Sequence, residues 1–399
     1  MDMHAIRSDG GARSPRVLVP TARDFTRRAF QCGLYEAQDV LCEVDDVELL
    51  RLRPRPGAAF PLRERWQRRL LYRDVSRKLV FANPGLERVR LTQDYDLFVA
   101  VCANYWDLLY LNAIEGWRDR CRTTVCWLDE MWLSEISRHK YWLHVLNQFD
   151  HVFLGYDGSV DAVSRAIGRP CRWIGGGVDT MRFSPYPRPP ARAIDVYSMG
   201  RSWAGIHEAL LSEASTKGRF YLHDTLPASD IEPYDHRAHR SMLGNVAKRS
   251  RYFVVAPGKV NVPAETAGQV EIGFRYYEGS AAGAVMIGQA PNCRSFRERF
   301  DWPDAVIEVK PDGSDVVERL AALDAQPERL AAISRRNAAE ALRRHDWLYR
   351  WQQIYEVAGV APSPGMIARG RRLHDLARLA DADVTPARST VSAFRSATA

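Results

Sequence analysis

The stretch 271–288 constrains the fold more than any other part of the chain. Apolar residues recur at helical spacing from Phe274 to Ala281, and Gly283 is placed to end a helix there. The apolar run 284–287 that follows has the character of a short buried strand. The sequence therefore predicts a helix that runs directly into a buried strand.

Two acids and one base mark the predicted helix. Glu271 and Glu278 are seven residues apart, about two turns, so the prediction places both on one face with Arg275 between them. At a helix N-terminus, such a face suits a ligand with phosphates, which bind amides and Arg275, and hydroxyls, which bind the acids. A ladder of salt bridges on a solvated face explains the spacing equally well, so both interpretations stay open.

Short apolar strands alternate with helical runs along the rest of the chain. We predict strands at 16–20, 95–102, 123–127, 149–154, 171–174, 193–200, 220–223, 252–256 and 304–309. The alternation predicts parallel sheets with helices on both faces, with ligands bound outside the carboxyl ends of the strands. That rule puts Asp129, Glu130 and Trp132 at the rim of a cleft; a surface loop with Asp129 as a helix N-cap is the alternative.

Composition limits the classes of protein to consider. The 399 residues are 46% hydrophobic and 26% charged, as in a soluble protein of two domains. No apolar run approaches the length of a membrane span and the N-terminus has no signal core, which predicts a cytoplasmic location.

Seven scattered cysteines without a CxxC pair predict reduced thiols and no metal site. The net charge of +7 comes from arginines spread along the chain; without a recognition motif it predicts no nucleic-acid partner.

Two short motifs carry a resemblance to a known family. Residues 275–283 read Arg, two aromatics, Glu, small residues and Gly, which resembles the donor-site signature of retaining GT-B glycosyltransferases, the glycosyltransferase family 4-like or spore-coat-type group. Gly177-Val-Asp, followed by Phe183 and Pro185, resembles the motif that precedes the interdomain linker in that family. The resemblance implies an α/β fold of GT-B type, with two Rossmann-like domains facing across a cleft.

The resemblance also implies roles for individual residues. Glu278 would bind the ribose of the nucleotide, Arg201 the diphosphate, and Glu271 the donor sugar, although the wider family carries this Glu one residue earlier, at Val270 here. Asp129 would orient the acceptor. The donor-binding candidates are Arg201, Lys259, Gly273, Arg275 and Glu278, and the catalytic candidates are Glu271 and Asp129.

The implied activity is transfer of a sugar from a nucleotide-diphosphate sugar, a substrate and not a cofactor, to an unidentified small molecule, glycan or protein. Retention and independence of metal are expected. The Lys usual after Arg201 is replaced by Ile206, for which His207 or Lys259 could substitute. Two alternatives stay open: a nucleotide-sugar epimerase using Asp129, Glu130 and His223, and a non-catalytic GT-B-like binding protein.

The predicted organisation has six parts. They are a disordered lead (1–14), an N-terminal Rossmann-like acceptor domain (15–184), a linker (185–192), a C-terminal Rossmann-like donor domain (193–345), a closing helix (346–360) and a tail (361–399). Within the tail, 366–379 is a basic, amphipathic helix candidate. It could make peripheral contact with the inner membrane or a partner, or be a loosely held terminal helix.

Overall fold

A computed structural model describes residues 15–73, 75–137, 140–225 and 231–382. The predicted lead and the chain beyond 382 lie outside the described residues. Across these described ranges, every helix is too short or too polar to cross a membrane.

The first domain is built on a parallel sheet of six strands. The strands of this half are β1 (Val17–Thr21), β2 (Val47–Arg51), β3 (Val89–Arg90), β4 (Tyr95–Asn104), β5 (Ile114–Glu115), β6 (Cys121–Glu130), β7 (His151–Leu154) and β8 (Arg172–Trp173). The main sheet has the order β2-β1-β4-β6-β7-β8, while β3 and β5 form a separate pair. Apolar side chains are buried on both faces of the main sheet, as expected of a parallel sheet covered by helices.

Helices cover both faces of this sheet. They are α1 (Cys32–Val44), α2 (Phe60–Tyr72), α3 (Trp117–Arg120), α4 (Leu133–Ile136), α5 (Lys140–Leu146) and α6 (Val160–Ile167), with 3₁₀ turns at Ala29–Gln31, Arg77–Phe81, Tyr105–Ala113 and Asp157–Ser159. The short helix that follows, α7 (Thr180–Phe183), instead buries Phe183 in the core of the second domain. The start of α2 lies in a stretch rich in Pro and Arg that is typical of a loop. Pro61 is compatible with the first helical turn because the amide there needs no intrahelical partner.

The second domain repeats the architecture with five parallel strands in the order β10-β9-β11-β12-β13. These strands are β9 (Ile194–Ser198), β10 (Tyr221–His223), β11 (Ser250–Val255), β12 (Val285–Gly288) and β13 (Ile307–Glu308). Its helices are α8 (Ala204–Lys217), α9 (His236–Lys248), α10 (Pro263–Thr266), α11 (Phe274–Ala281), α12 (Arg294–Arg299), α13 (Val316–Asp324) and α14 (Pro327–Arg344). Two facing sheets of this kind confirm the predicted α/β fold class.

The chain then crosses back to the first domain. Trp347, Trp351 and Tyr355 of α15 (Trp347–Ala358) are buried in the core of the first domain, with both indole rings 5.8 Å from that of Trp127. The segment predicted as a closing helix therefore packs on the first domain.

The last helix, α16 (Pro364–Ala382), is a packed element and not a loose tail. Met366 and Leu373 are fully buried in the same core, so its apolar face is not available to a membrane. Arg369 is also buried, with Nη2 2.6 Å from Asp179 and 2.9 Å from Asp346. A buried arginine held by two carboxylates ties this helix to the linker region.

Candidate active site

The carboxyl edge of the second sheet gathers several of the predicted donor residues. Gly200 follows β9 with φ of 79°, and its amide donates to Asp224 Oδ2 at 2.8 Å. A Cβ atom built on Gly200 would lie 3.7 Å from Nε of Arg275, so the side chain of Arg275 reaches this turn. The structure therefore brings Arg275, on α11, to the same edge as Arg201.

Arg201 is exposed and makes no ion pair within the described part of the chain. Its charge acts on Tyr156 of the first domain: burial raises the pKa of that phenol well above its ordinary value, and Arg201 opposes the shift. Arg201 is thus an exposed cation that acts on a residue of the first domain, and such a guanidinium suits an anionic ligand.

Glu271 is not part of the helix. Gly273 is the N-cap of α11, with ψ of 156°, so Glu271 lies in the extended segment before it. The prediction that Glu271 and Glu278 share one helical face is wrong. The segment stays extended because Gly273 packs against the end of β11, where an added Cβ would come within 3.0 Å of the Ala256 carbonyl oxygen. The backbone at Gly273 therefore approaches β11 closely, while its predicted donor-binding role stays a prediction.

The carboxylate of Glu271 connects the two domains. Its Oε1 accepts a hydrogen bond from the Gly158 amide of the first domain at 3.0 Å and from Gln269 Nε2 at 2.7 Å. Burial raises the pKa of Glu271 to about 7, against the opposing effect of Gln269. Its contact with a donor sugar stays a prediction.

Glu278 is at the centre of a buried ionic network. It forms ion pairs with Arg275 on its own helix and with Arg240 on α9. Burial alone would raise the pKa of Glu278, but the charges of Arg275 and Arg240 outweigh it and hold the pKa below its ordinary value. The carboxylate is therefore ionised at neutral pH, but it is 1% exposed and each of its oxygens already pairs with an arginine. Its contact with a ribose stays a prediction.

Arg240 extends this network into the first domain. Its Nε and Nη2 donate to the two carboxylate oxygens of Glu36 on α1, at 3.1 and 3.0 Å. Sequence reasoning missed both residues. A signal existed for Arg240, since it shares a helical face with Leu243 and Ala247, and a charge on an apolar face indicates a buried partner.

Lys259 also forms a contact between the two domains. Its Nζ lies 2.8 Å from Glu130 of β6 and 3.1 Å from Glu265, above the ring of Trp132. Trp132 is itself fully buried, so its ring is core and not a rim platform. The predicted donor-binding role of Lys259 stays a prediction.

Two histidines considered for this site contact each other. The rings of His207 and His223 are 4.9 Å apart, and His207 Nδ1 lies 2.8 Å from the Tyr221 hydroxyl. Burial lowers the pKa of His207 below 6.5, so this ring is mostly uncharged at neutral pH. It is therefore a poor substitute for the missing Lys at Ile206.

Asp129 lies within β6 and not after it, so the alternative that it caps a helix is wrong. It is 8% exposed, and burial, with a smaller effect of Glu130, raises the pKa of this carboxyl to about 8. The group is therefore protonated at neutral pH and able to donate a hydrogen bond.

A cavity of about 810 Å³ opens on the first domain and reaches Glu232 of the second. Phe25, Arg68, Asp107 and Tyr110 are among its lining residues, and sequence analysis singled out none of them. Burial raises the pKa of Asp107 to about 6, although the Ala103 amide donates to it at 2.8 Å. Among all the described residues, no cluster of three His, Cys, Asp or Glu side chains is arranged to hold a metal ion.

Comparisons with known proteins agree with this architecture. Residues 201–356 match a family profile described as Glycosyl transferase-like. An alpha-glucosyltransferase solved with UDP and a 13-mer DNA containing a HMU base is similar in structure, with a TM-score of 0.52 and 10% identity over 87% of this chain and 100% of that one. Another, solved with UDP-glucose and DNA containing an abasic site, has a TM-score of 0.50 and 10% identity over 86% and 99%. No curated protein matches the sequence significantly.

The matched profile covers the donor-side residues Arg201, Lys259, Gly273, Arg275 and Glu278. With the two-domain fold, it confirms the predicted resemblance to GT-B glycosyltransferases and the prediction that the chain is an enzyme of that class.

Proposed function

We propose that this GT-B glycosyltransferase transfers a sugar from a nucleoside diphosphate sugar, with retention and without a metal ion. The observation that carries the proposal is the pair of guanidinium groups, Arg201 and Arg275, at the carboxyl edge of the second sheet. Breaking the bond to the sugar leaves negative charge on the diphosphate, and fixed cations stabilise that charge. The unpaired guanidinium of Arg201 fits this task best.

The remaining residues have separate roles in this proposal. The ionised carboxylate of Glu278 accepts hydrogen bonds from the ribose hydroxyls. Asp129, protonated at neutral pH, donates to an oxygen of the donor or acceptor in the cleft. We assign no nucleophile from the protein.

We place the acceptor in the cavity lined by Phe25, Arg68, Asp107 and Tyr110. It offers an aromatic surface, a cation and a carboxyl, the groups that bind a polyhydroxylated molecule. Because the similar solved structures contain DNA, the expectation of no nucleic-acid partner is not supported, and DNA belongs among the acceptors to test.

Nucleotide binding tests the donor site. We expect one of UDP, GDP, TDP, ADP or CMP to stabilise the protein, by about 2.7 kcal/mol at a hundred times its Kd. Arg201→Ala should weaken that binding at least about tenfold, because it removes a charge-assisted contact. Arg371→Ala, an exposed arginine on α16, is the matched control and should bind as the wild type does.

Turnover then tests the chemistry. The matching nucleotide sugar should be consumed at the same rate with and without EDTA, and ¹H NMR should show the anomeric configuration of the donor in the product. Absence of nucleotide binding in a folded sample would contradict the donor site. Binding followed by an inverted product would contradict only retention.

A further inference from the structure

The positive charge of this protein is concentrated in one segment. Residues 51–78 contain ten Arg or Lys and two Asp or Glu, a net +8, whereas the whole chain carries +7. The other 371 residues therefore sum to −1. The expectation that the excess of arginine is spread along the chain is wrong, because the surplus over acids lies almost wholly here.

The centre of this segment is α2, whose faces differ sharply. Phe60, Gln67 and Leu71 are buried and fix the helix on the first domain. Gln67 Nε2 also donates to the carbonyls of Leu79 and Ala82, at 2.6 and 2.8 Å, and so holds the following turn against the helix. The helix α2 at its centre is thus a fixed surface and not a free loop.

The outer face of α2 presents apolar and basic side chains together. Leu62 and Trp66, one turn apart, are each 59% exposed. The arginines around them are also exposed: Arg63, Arg65, Arg69 and Arg73. We call these six residues the α2 face.

Among the residues that the structure describes, no carboxylate pairs with the four arginines of this face, although Arg68 on the inner side pairs with Glu64. The guanidinium of Arg69 lies 5.7 Å from the ring centroid of Trp66. Phe81, in the turn that Gln67 holds, adds a further apolar side chain that is 51% exposed.

We propose that the α2 face docks on the surface of an anionic lipid bilayer. Exposed Leu and Trp insert at the boundary between headgroups and acyl chains, while arginines around them bind lipid phosphates. The positive charge of the α2 face favours an anionic bilayer over the other candidate partners. A second copy of the chain would place one strongly basic segment against another, and a nucleic acid would leave Leu62 without an apolar environment.

Co-sedimentation with vesicles tests this proposal on the full chain. We expect binding to vesicles of equal parts phosphatidylcholine and phosphatidylglycerol, and none to pure phosphatidylcholine. Combined Arg63→Gln, Arg65→Gln, Arg69→Gln and Arg73→Gln should weaken binding at least about tenfold. Leu62→Ser with Trp66→Ser should also weaken it, although the charge is unchanged.

The matched control is a double variant of α16, Ile367→Ser with Leu379→Ser. Both side chains are similarly exposed, at 46% and 49%, but lie outside the basic segment. It should bind vesicles as the wild type does. Loss of binding in the α16 variant, or no binding to anionic vesicles, would overturn the proposal. So would DNA binding that depends on the four arginines but not on Leu62 and Trp66, without vesicle binding.

Discussion

Removing Arg240 should destabilise the protein more than any surface change of charge. Arg240, Glu36 and Glu278 have side chains that are 4%, 1% and 1% exposed, so solvent barely screens their interactions. In Arg240→Met, both carboxylates lose their shared cation; Glu278 keeps Arg275, and Glu36 keeps the Trp347 indole and the Asp179 amide. Breaking a buried pair in this way costs about 3–5 kcal/mol.

The same two helices provide a matched control. Arg237 lies one turn before Arg240 on α9 and pairs with Asp39 of α1 at 2.8 Å, but its side chain is 56% exposed. Asp39 also retains Arg23 and His236. We expect Arg237→Met to lower the free energy of unfolding by at most about 1 kcal/mol in urea titrations.

The pH dependence identifies the cause. In the wild type, the pKa of Glu278 is lowered, so its stabilising contribution is present above the ordinary pKa of 4.5 and lost as the pH falls through the folded value. In Arg240→Met, Glu278 loses one of the two cations that lower its pKa, so the deficit of the variant should shrink as the pH falls toward 4.5. Adding Glu36→Gln and Glu278→Gln should restore much of the stability at pH 7. A loss below about 1 kcal/mol, or a deficit independent of pH, would refute this reasoning.

Two further substitutions test local features. Asp129→Asn should become more stable relative to the wild type as the pH rises. The folded pKa of Asp129, about 8, exceeds the ordinary 3.8, so the wild-type protein loses stability as the pH rises between these values. The loss between pH 6 and 8 is about 2–3 kcal/mol. A constant difference between the unfolding free energies would contradict this. Gly283→Ala should destabilise by about 1–3 kcal/mol, because φ is +60° and the new Cβ would lie 2.9 Å from the Ser334 carbonyl oxygen. Gly218→Ala, with a similar φ of +70° and open space around it, separates strain from collision.

The sequence predicted the fold best where local patterns are strong. The helix before Gly283 and the strand after it are confirmed, because an apolar run and a glycine with positive φ determine them locally. The start of α2 was missed, since Pro and Arg dominate its sequence and only three of its side chains are buried. Its helical state depends on tertiary packing, which composition does not reveal.

The candidate site was predicted less completely because its charges pair across the domain boundary. Arg275 and Glu278 are close in sequence, and their spacing indicated a contact. Glu36 and Arg240 are 204 residues apart, and no local pattern relates them. The position of Glu271 was wrong because α11 begins only after Gly273, which packs against the end of β11, and the carboxylate of Glu271 instead contacts Gly158 of the other domain.

This distribution of charge would couple the proposed donor site to any separation of the two domains. Glu36 belongs to the first domain and Arg240 and Glu278 to the second, so parting the domains would split a buried ion pair and expose Glu36 to water. Arg240 would then direct its charge to Glu278 alone, and that carboxylate would be a weaker acceptor for ribose hydroxyls. In the closed arrangement, Glu36 shares the charge of Arg240 and leaves Glu278 better able to accept. Under the proposed role of Glu278, we therefore expect the pairing that holds the domains together also to favour ribose binding.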